Sequence, residues 1–174
     1  KTLMRGSILP ETVDILENDW EKKVVLALIE KKKDKVLAMG KGVRNVLGMV
    51  PDAQGNWGKS ADVLTVSPNG GLIITEAKFP RAALEKRPAG VDCYGAVEQL
   101  TNSMAHAVKK GVAHDVELVQ IVFPKGAVLA PHTVKNTTTT FHYSVRDGYL
   151  LKDGQHIPLP GKPDFFVKVL ELEK

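Results

Sequence analysis

The residues that most constrain the fold are Ser67-Pro68-Asn69-Gly70, a turn signal in the middle of the largely apolar segment 60–78. Proline at the second turn position and glycine at the fourth suit a type I turn followed by a left-handed residue, the three-residue hairpin loop. In that register Ser67 pairs with Gly71, and Asp62 lies opposite Glu76 on one face of the hairpin. A two-residue Asn-Gly turn is the alternative, and it would move Asp62 to the other face. We prefer the first register because the proline suits it.

Both faces of the hairpin are largely apolar, which is typical of central strands that are covered on both sides. Lys78 stands two residues beyond Glu76, so it points to the same face as Glu76 and Asp62. Three polar groups at the ends of such strands cost desolvation energy unless something compensates. A divalent cation shared by the two carboxylates would compensate. The alternative is an ordinary Glu–Lys pair at a strand end on the surface.

The composition predicts one soluble, folded domain. The chain has 174 residues, of which 43% are hydrophobic and 25% are charged, enough for a single compact core. We expect no membrane-spanning segment and no signal peptide, and the absence of an initial Met suggests part of a longer protein. The net charge of +4 and the pI of about 9.1 agree with nucleic-acid binding. The single cysteine, Cys93, excludes an internal disulfide and is expected to be a small buried hydrophobic residue.

Residues 11–33 are predicted to form a helix, because apolar side chains recur in them at helical spacing. On a helical wheel Glu17 falls inside the apolar arc, and Glu21 lies at its margin. A buried acid needs a partner. Glu17 is therefore a candidate site residue if this helix packs beside the hairpin, and otherwise a glutamate at the edge of the apolar stripe.

The secondary structure is ambiguous before the hairpin and well indicated after it. Residues 36–39 could continue the first helix and residues 45–50 could form a strand, but several glycines weaken both interpretations. Beyond the hairpin, residues 95–110 are predicted to form a second helix that ends at Gly111. Residues 116–123 are predicted to form a buried strand.

The last third of the chain predicts a β-rich extension that packs on the core or projects from it. Three segments alternate in the manner of strands: residues 137–145, 149–157 and 165–172. Asp147-Gly148 and Asp153-Gly154 supply turns between them. The sequence thus predicts one mixed α/β (α+β) domain over residues 1–174. It comprises a central mixed β-sheet flanked by helices over about residues 11–123 and the extension over about residues 131–174.

The predicted order of elements is a helix with an inward acid, a strand, the aspartate strand, the Glu-x-Lys strand, a helix and a strand. With Asp62 and Thr75-Glu76-Ala77-Lys78, this order resembles the core of the PD-(D/E)XK nuclease superfamily, which includes restriction endonucleases, Holliday junction resolvases and several toxin nucleases. The resemblance covers residues 11–123 and implies a restriction-endonuclease-like core with Glu17 as the helix acid. Some branches carry a glutamine on the second helix near the active site, and Gln99 is the matching residue, although the wheel places it outside the apolar stripe.

The resemblance implies a metal-dependent endonuclease that hydrolyses phosphodiester bonds of DNA or RNA, with tRNA as one possible substrate. Asp62, Glu76 and Glu17 would bind the divalent ion, Mg²⁺ in the first place and Mn²⁺ or Zn²⁺ as alternatives. Lys78 would stabilise charge on the phosphorane or orient the attacking water, and Gln99 would complete the catalytic set. Several basic residues are candidates for phosphate contacts along the nucleic acid: Lys41, Arg44, Lys59, Arg81, Lys86 and Arg87.

The size and layout of the chain also resemble the C-terminal toxin modules of contact-dependent inhibition and other polymorphic toxin systems. That resemblance implies an effector domain that is secreted, delivered into a target bacterial cell and active in its cytoplasm. It also implies a cognate immunity protein as partner. Such a partner would cover the basic cleft or pair with an edge strand of the β-rich extension.

Other interpretations of the sequence compete with this one. Residues 53–60 fit a relaxed phosphate-loop pattern, but the residues after them alternate like a strand, whereas a phosphate loop opens a helix. His132, His142 and His156 have a spacing that matches no zinc-binding motif. The main alternative is a catalytically inactive nucleic-acid- or protein-binding module on the same fold. The intact acid, acid and lysine set argues against it.

Overall fold

The structure, a computed structural model, describes residues 18–174 of the chain. The helices are α1 (Asp19–Glu30), α2 (Gly42–Val46) and α3 (Cys93–Lys110). The strands of the N-terminal part are β1 (Lys35–Met39), β2 (Val63–Val66), β3 (Leu72–Ala77) and β4 (Val116–Pro124). Those of the C-terminal part are β5 (His132–Thr133), β6 (Thr140–Phe141), β7 (Tyr143–Arg146), β8 (Tyr149–Lys152), β9 (Gln155–His156), β10 (Pro158–Leu159), β11 (Lys162–Phe166) and β12 (Lys168–Leu172).

One mixed eight-stranded sheet organises these elements, in the order β1-β2-β3-β4-β12-β8-β7, with β9 paired to β8. Strand β2 is antiparallel to both β1 and β3, whereas β3, β4 and β12 are parallel to one another. The predicted mixed α/β fold is therefore confirmed. The β-rich extension continues the central sheet, since β12 lies beside β4 and β8 lies beside β12.

The helices cover the two faces of this sheet. On one face α2 and α3 enclose the larger apolar cluster, which includes Leu64, Ile74, Leu100, Met104 and Ile121. On the other face α1 packs on a smaller cluster, which includes Val24, Leu28, Val63, Ala77 and Val122. Every residue of β2 and β3 is buried, as expected for strands that are apolar on both faces.

The predicted helices are confirmed in their central parts. The first predicted helix begins at Asp19 within the described residues and ends at Glu30, three residues early, because Lys33 adopts a left-handed φ of 61°. The second begins at Cys93, with Asp92 as its N-cap, and ends at Gly111, whose φ of 83° is left-handed. Both helix starts have an Asx cap, since Asn18 accepts a hydrogen bond from the Glu21 amide in the same way.

The interpretations of residues 36–50 are wrong in both halves. Residues 36–39 belong to β1, where Val36 and Ala38 alternate inward and pair with β2. Residues 45–50 contain the end of α2 and no strand. Four of the five residues of β1 are good helix formers, namely Lys35, Leu37, Ala38 and Met39, so tertiary pairing with β2 outweighs their local preference.

The C-terminal strands follow the predicted alternation, but they are shorter and more numerous. The residues of both predicted turns adopt left-handed φ angles, Asp147 and Gly148 at 54° and 79°, and Asp153 and Gly154 at 50° and 78°. The predicted strand over 165–172 is interrupted at the fully buried Val167, which separates β11 from β12. Among the helices within residues 18–174, none is both long and apolar enough to cross a membrane.

Candidate active site

The hairpin of β2 and β3 has the three-residue loop that the turn chemistry predicts. The Ser67 amide donates to the Gly71 carbonyl at 2.9 Å, the Gly70 amide donates to the Ser67 carbonyl at 2.8 Å, and Gly70 has a φ of 89°. Val63 consequently pairs with Thr75 and Leu64 pairs with Ile74. This register brings Asp62, the residue before β2, beside Glu76 near the end of β3.

The carboxyl groups of Asp62 and Glu76 lie at the end of the hairpin, where the Asp62 side chain replaces a regular backbone hydrogen bond. The Asp62 amide donates to the Thr75 carbonyl at 3.1 Å, and Asp62 Oδ2 accepts from the Ala77 amide at 2.9 Å. The Asp62 carboxylate therefore accepts the hydrogen bond that a backbone carbonyl of the partner strand accepts in a regular hairpin. Strand β2 consequently begins only at Val63. The Asp62 carboxyl lies within hydrogen-bonding reach of Glu76, whose residue surface is 2% exposed.

Lys78 completes the predicted group at the end of β3. Its Nζ lies 3.5 Å from Glu76 Oε2, and its side chain is 23% exposed. Its amide donates to the Val122 carbonyl at 2.9 Å, so pairing with β4 holds the backbone beyond the last residue of β3. The structure thus brings Asp62, Glu76 and Lys78 together on one side of the hairpin, as the sequence predicted.

Glu21, in the first turn of α1, is the helix acid whose pKa responds to the charges of this group. Burial raises its pKa, the negative charge of Asp62 raises it further, and the positive charge of Lys78 lowers it. The end of α1 is anchored by the indole of Trp20, which donates to the Val122 carbonyl at 3.4 Å. Glu17, predicted as a metal ligand and catalytic residue, lies outside the described residues. The position of Glu21 at the margin of the apolar stripe was the sequence signal for its partial burial.

Gln99 contacts the backbone that leads into Asp62. Its Nε2 donates to the Ser60 carbonyl at 3.3 Å. The side-chain Nδ2 of Asn102 donates to the Lys59 carbonyl, and Ser103 Oγ accepts from the backbone amide of Ala61 at 2.8 Å. Side chains on α3 therefore fix three consecutive residues before Asp62. This places Gln99 as a positioning residue, and the catalytic role predicted for it stays a prediction.

We expect Ser103→Ala to destabilise the protein by about 1–3 kcal/mol, because it leaves the buried Ala61 amide without an acceptor. Ser103 is fully buried and its hydroxyl accepts that hydrogen bond across the sheet–helix interface. Urea denaturation measures the change. The exposed Ser144→Ala on β7 is the matched control and should leave the free energy of unfolding unchanged. Equal stability of the two variants would contradict the role given to Ser103.

The environment of the carboxyl pair favours a proton on Glu76. Burial raises the pKa of Glu76 to about 9, the Asp62 charge adds to the rise, and the Lys78 charge opposes it. Burial also raises the pKa of Asp62, against the Ala77 amide, the hydrogen bond with Glu76 and the charge of Lys78. Within residues 18–174, Glu76 Oε1 is a buried oxygen with no hydrogen-bond partner. Burial therefore disfavours negative charge on this pair of acids, and a bound cation would stabilise that charge.

The donor set fits a hard divalent cation. Asp62 and Glu76 supply carboxylate oxygens, and the unpartnered Glu76 Oε1 leaves one of them available. In the described part of the chain, no three His, Cys, Asp or Glu side chains form a cluster that could hold a metal ion. Mg²⁺ commonly binds proteins through one or two carboxylates, with waters and substrate phosphates in the other positions. A two-carboxylate site matches that pattern.

The other residues considered from the sequence have contacts or surroundings of their own. His132 stacks on Tyr94, His142 lies 3.9 Å from an Asp153 oxygen, and His156 stacks on Phe166. Cys93 is fully buried, as predicted, and burial raises the pKa of its thiol to about 12. Residues 53–60 lead into β2 and not into a helix, so the phosphate-loop interpretation is excluded.

Comparison with known proteins adds nothing to the geometry: no family model, no curated protein and no solved structure matches this chain. The likeness to the PD-(D/E)XK core stays a prediction. It rests on Asp62, on the Glu-x-Lys strand and on the order of elements. The functional inference therefore rests on the chemistry of the site.

Proposed function

We propose that the protein is a metal-dependent nuclease that hydrolyses phosphodiester bonds of DNA or RNA. The observation that supports this most strongly is the buried carboxyl pair, with Glu76 2% exposed beside Asp62 and the Lys78 ammonium 3.5 Å from Glu76. Two acids buried side by side cost free energy that one lysine does not fully offset. A site that receives a divalent cation and a phosphate explains why the fold keeps them together.

Each residue has a distinct part in this proposal. Asp62 and Glu76 would hold the cation through their carboxylate oxygens, with Asp62 oriented by the Ala77 amide. When bound, the cation neutralises phosphate charge and makes water a better nucleophile. The partly exposed Lys78 can reach a phosphate oxygen while it stays near Glu76. Glu21 on α1, whose pKa is raised by burial and by the charge of Asp62, would orient a water molecule.

The setting of a bacterial toxin with an immunity partner stays a prediction. The structure contributes one relevant feature, the small basic hairpin that follows Lys78. Within it Arg81 pairs with Gly90, Leu84 pairs with Arg87, and residues 82–86 are exposed. This hairpin directly follows Lys78 in the chain and carries Arg81, Lys86 and Arg87, so it would meet a nucleic-acid backbone or an acidic partner that approaches the site.

Lys78→Ala should reduce metal-dependent cleavage by at least about 100-fold, because it removes the cation nearest to the developing phosphate charge. The purified protein is incubated with plasmid DNA, single-stranded DNA and tRNA in Mg²⁺ or Mn²⁺, with and without EDTA. Lys125→Ala is the matched control, since the Lys125 side chain is 71% exposed and pairs with the exposed Glu173 at 3.8 Å. That variant should cleave as the natural protein does.

Two results would contradict the proposal. One is cleavage that persists in EDTA or in Lys78→Ala. The other is binding of nucleic acid without turnover in Mg²⁺, Mn²⁺ or Zn²⁺, which would favour the inactive binding module instead.

A further inference from the structure

Three aromatic side chains of the described residues 18–174 are exposed, and one of them directly follows Lys78. Their exposed fractions are 39% for Trp57, 47% for Phe79 and 38% for Tyr94. Phe79 directly follows Lys78, and its ring packs on Trp20 at 5.5 Å between centroids. Trp57 lies in the loop before β2, and Tyr94 lies in the first turn of α3. Trp and Tyr are enriched at binding interfaces, because each combines a large apolar ring with a polar group.

Tyr94 is linked to the site through Arg81 and the start of α3. Arg81, three residues after Lys78, places Nη1 3.3 Å from Asp92 Oδ2, and Asp92 caps α3 through the Gly95 amide. Tyr94 lies in the first turn of that helix. Its ring stacks on His132 at 3.6 Å with an interplanar angle of 5°, and the nearly parallel ring of Phe141 lies 6.3 Å away. The His132 ring therefore packs against one face of the Tyr94 ring, and Tyr94 stays 38% exposed.

Trp57 is linked to the opposite side of the site through β1 and α2. The Gly40 amide donates to the Asp62 carbonyl at 2.9 Å, and α2 starts two residues later. Arg44 on α2 holds its guanidinium 4.8 Å from the centre of the Trp57 ring. The carboxyl pair is thus linked to the Trp57 ring through β1 and α2, and to the Tyr94 ring through Arg81 and the start of α3.

A ring with a neighbouring cation is the combination that binds single-stranded nucleic acid. Unpaired bases stack on aromatic faces, and arginines neutralise the phosphates between them. Bases inside a duplex cannot reach such rings, because they are stacked on each other. Arg44 lies over the Trp57 ring, and Arg81 pairs with Asp92, two residues before Tyr94. Two exposed rings with arginines nearby, both linked to the carboxyl pair, favour an unpaired strand that crosses the site.

We propose that the substrate is a single-stranded segment of nucleic acid, with unpaired bases stacked on Trp57 and Tyr94 on either side of the cleaved phosphate. This inference rests on the proposed nuclease function and narrows its substrate class. It selects single strands, loops and unpaired ends, and it disfavours continuous duplex DNA.

The test measures binding without turnover, in EDTA, to short oligouridylate, short oligothymidylate and a blunt duplex. The sequence contains two tryptophans, and Trp20 is 7% exposed, so quenching of tryptophan emission reports stacking on Trp57. We expect the single strands to quench this emission and to bind more tightly than the duplex. Trp57→Ala and Tyr94→Ala should each weaken single-strand binding by about 5-fold to 100-fold, the range that stacking of one base supplies.

Two further variants separate stacking from folding. Tyr94→Phe keeps the ring and should bind as the natural protein does, even if Tyr94→Ala lowers the unfolding midpoint. Tyr149→Ala removes a half-buried ring from a different aromatic cluster, where it contacts His156 edge-on at 4.9 Å, and should leave binding unchanged.

The outcomes distinguish this inference from the function on which it rests. Metal-dependent cleavage of single strands that is lost in Trp57→Ala and Tyr94→Ala would support both. Cleavage of duplex with no effect of either variant would overturn the single-strand inference and leave the nuclease. Stacking without cleavage of any nucleic acid in Mg²⁺ or Mn²⁺ would support the stacking surface and overturn the nuclease.

Discussion

Glu76→Gln is expected to abolish nucleic-acid cleavage and, at the same time, to stabilise the metal-free protein. Cleavage should fall at least about 1,000-fold, because the glutamine amide is a poor ligand for a hard cation and cannot neutralise its charge. Stability should rise because the side chain is 2% exposed and lies beside Asp62, where a neutral group is preferred. Opposite changes in activity and stability are typical of a residue kept for function.

The sign of the stability change follows from the raised pKa. In the folded protein the pKa of Glu76 is raised from 4.5 to about 9, so the folded state holds its proton more tightly than the unfolded state. Stability is therefore lost as pH rises from the unfolded pKa towards the folded one, by about 1.4 kcal/mol at most for each pH unit. Glutamine carries no titrating proton and removes this loss. The gain in the variant should be small near pH 5 and reach several kcal/mol near pH 8.

Urea denaturation of the metal-free proteins between pH 5 and pH 8, together with cleavage assays in Mn²⁺, measures both effects. Glu173→Gln is the matched control, because the Glu173 side chain is 80% exposed. It should change neither activity nor the pH dependence of unfolding. A Glu76→Gln variant that is less stable than the natural protein at pH 8 would show that Glu76 stabilises the fold as part of an ion pair.

Metal affinity is expected to rise steeply with pH. A cation binds the ionised carboxylates, so binding must release the proton that Glu76 holds below about pH 9. One released proton corresponds to a tenfold change in apparent affinity per pH unit, or about 100-fold between pH 6 and pH 8. In Glu76→Gln this dependence should largely disappear, because the principal titrating ligand is gone.

Calorimetric titration with Mn²⁺ at pH 6, 7 and 8 gives these affinities. Repeating the pH 7 titration in buffers of different ionisation enthalpy gives the number of protons released, which should be close to one per ion. Asp62→Asn is the companion variant and should bind the ion weakly at every pH. Equal affinity at pH 6 and pH 8, with no proton release, would place the ion elsewhere on the protein.

The part of the site that was predictable from sequence is the part set by local chemistry. Pro68 and Gly70 fix the loop, the loop fixes the register, and the register places Asp62 beside Glu76. Likewise the left-handed Gly111 ends α3 where the sequence indicated. These features depend on a few neighbouring residues, so a single sequence is enough to predict them.

The remaining features depend on tertiary contacts that periodicity does not encode. A helical wheel identifies the apolar stripe of α1 but not which of its acids feels the charges of the hairpin. The charge of Asp62 raises the pKa of Glu21, which follows Trp20, the residue whose indole anchors that end of the helix. The alternation in the last third indicated strands but not their partners, so the parallel pairing of β12 with β4 was not predictable. The exposed rings of Trp57 and Tyr94 carried no sequence signal, because exposure is a property of the fold.

The most direct measurement is a crystal structure of the protein soaked in Mn²⁺, with an anomalous difference map calculated at the manganese absorption edge. The proposed site predicts a peak in contact with carboxylate oxygens of both Asp62 and Glu76, at about 2.1 Å, the distance typical of small hard cations. A map with no peak at this position in saturating Mn²⁺, or with peaks only at other acids, would contradict the metal site and the nuclease function with it.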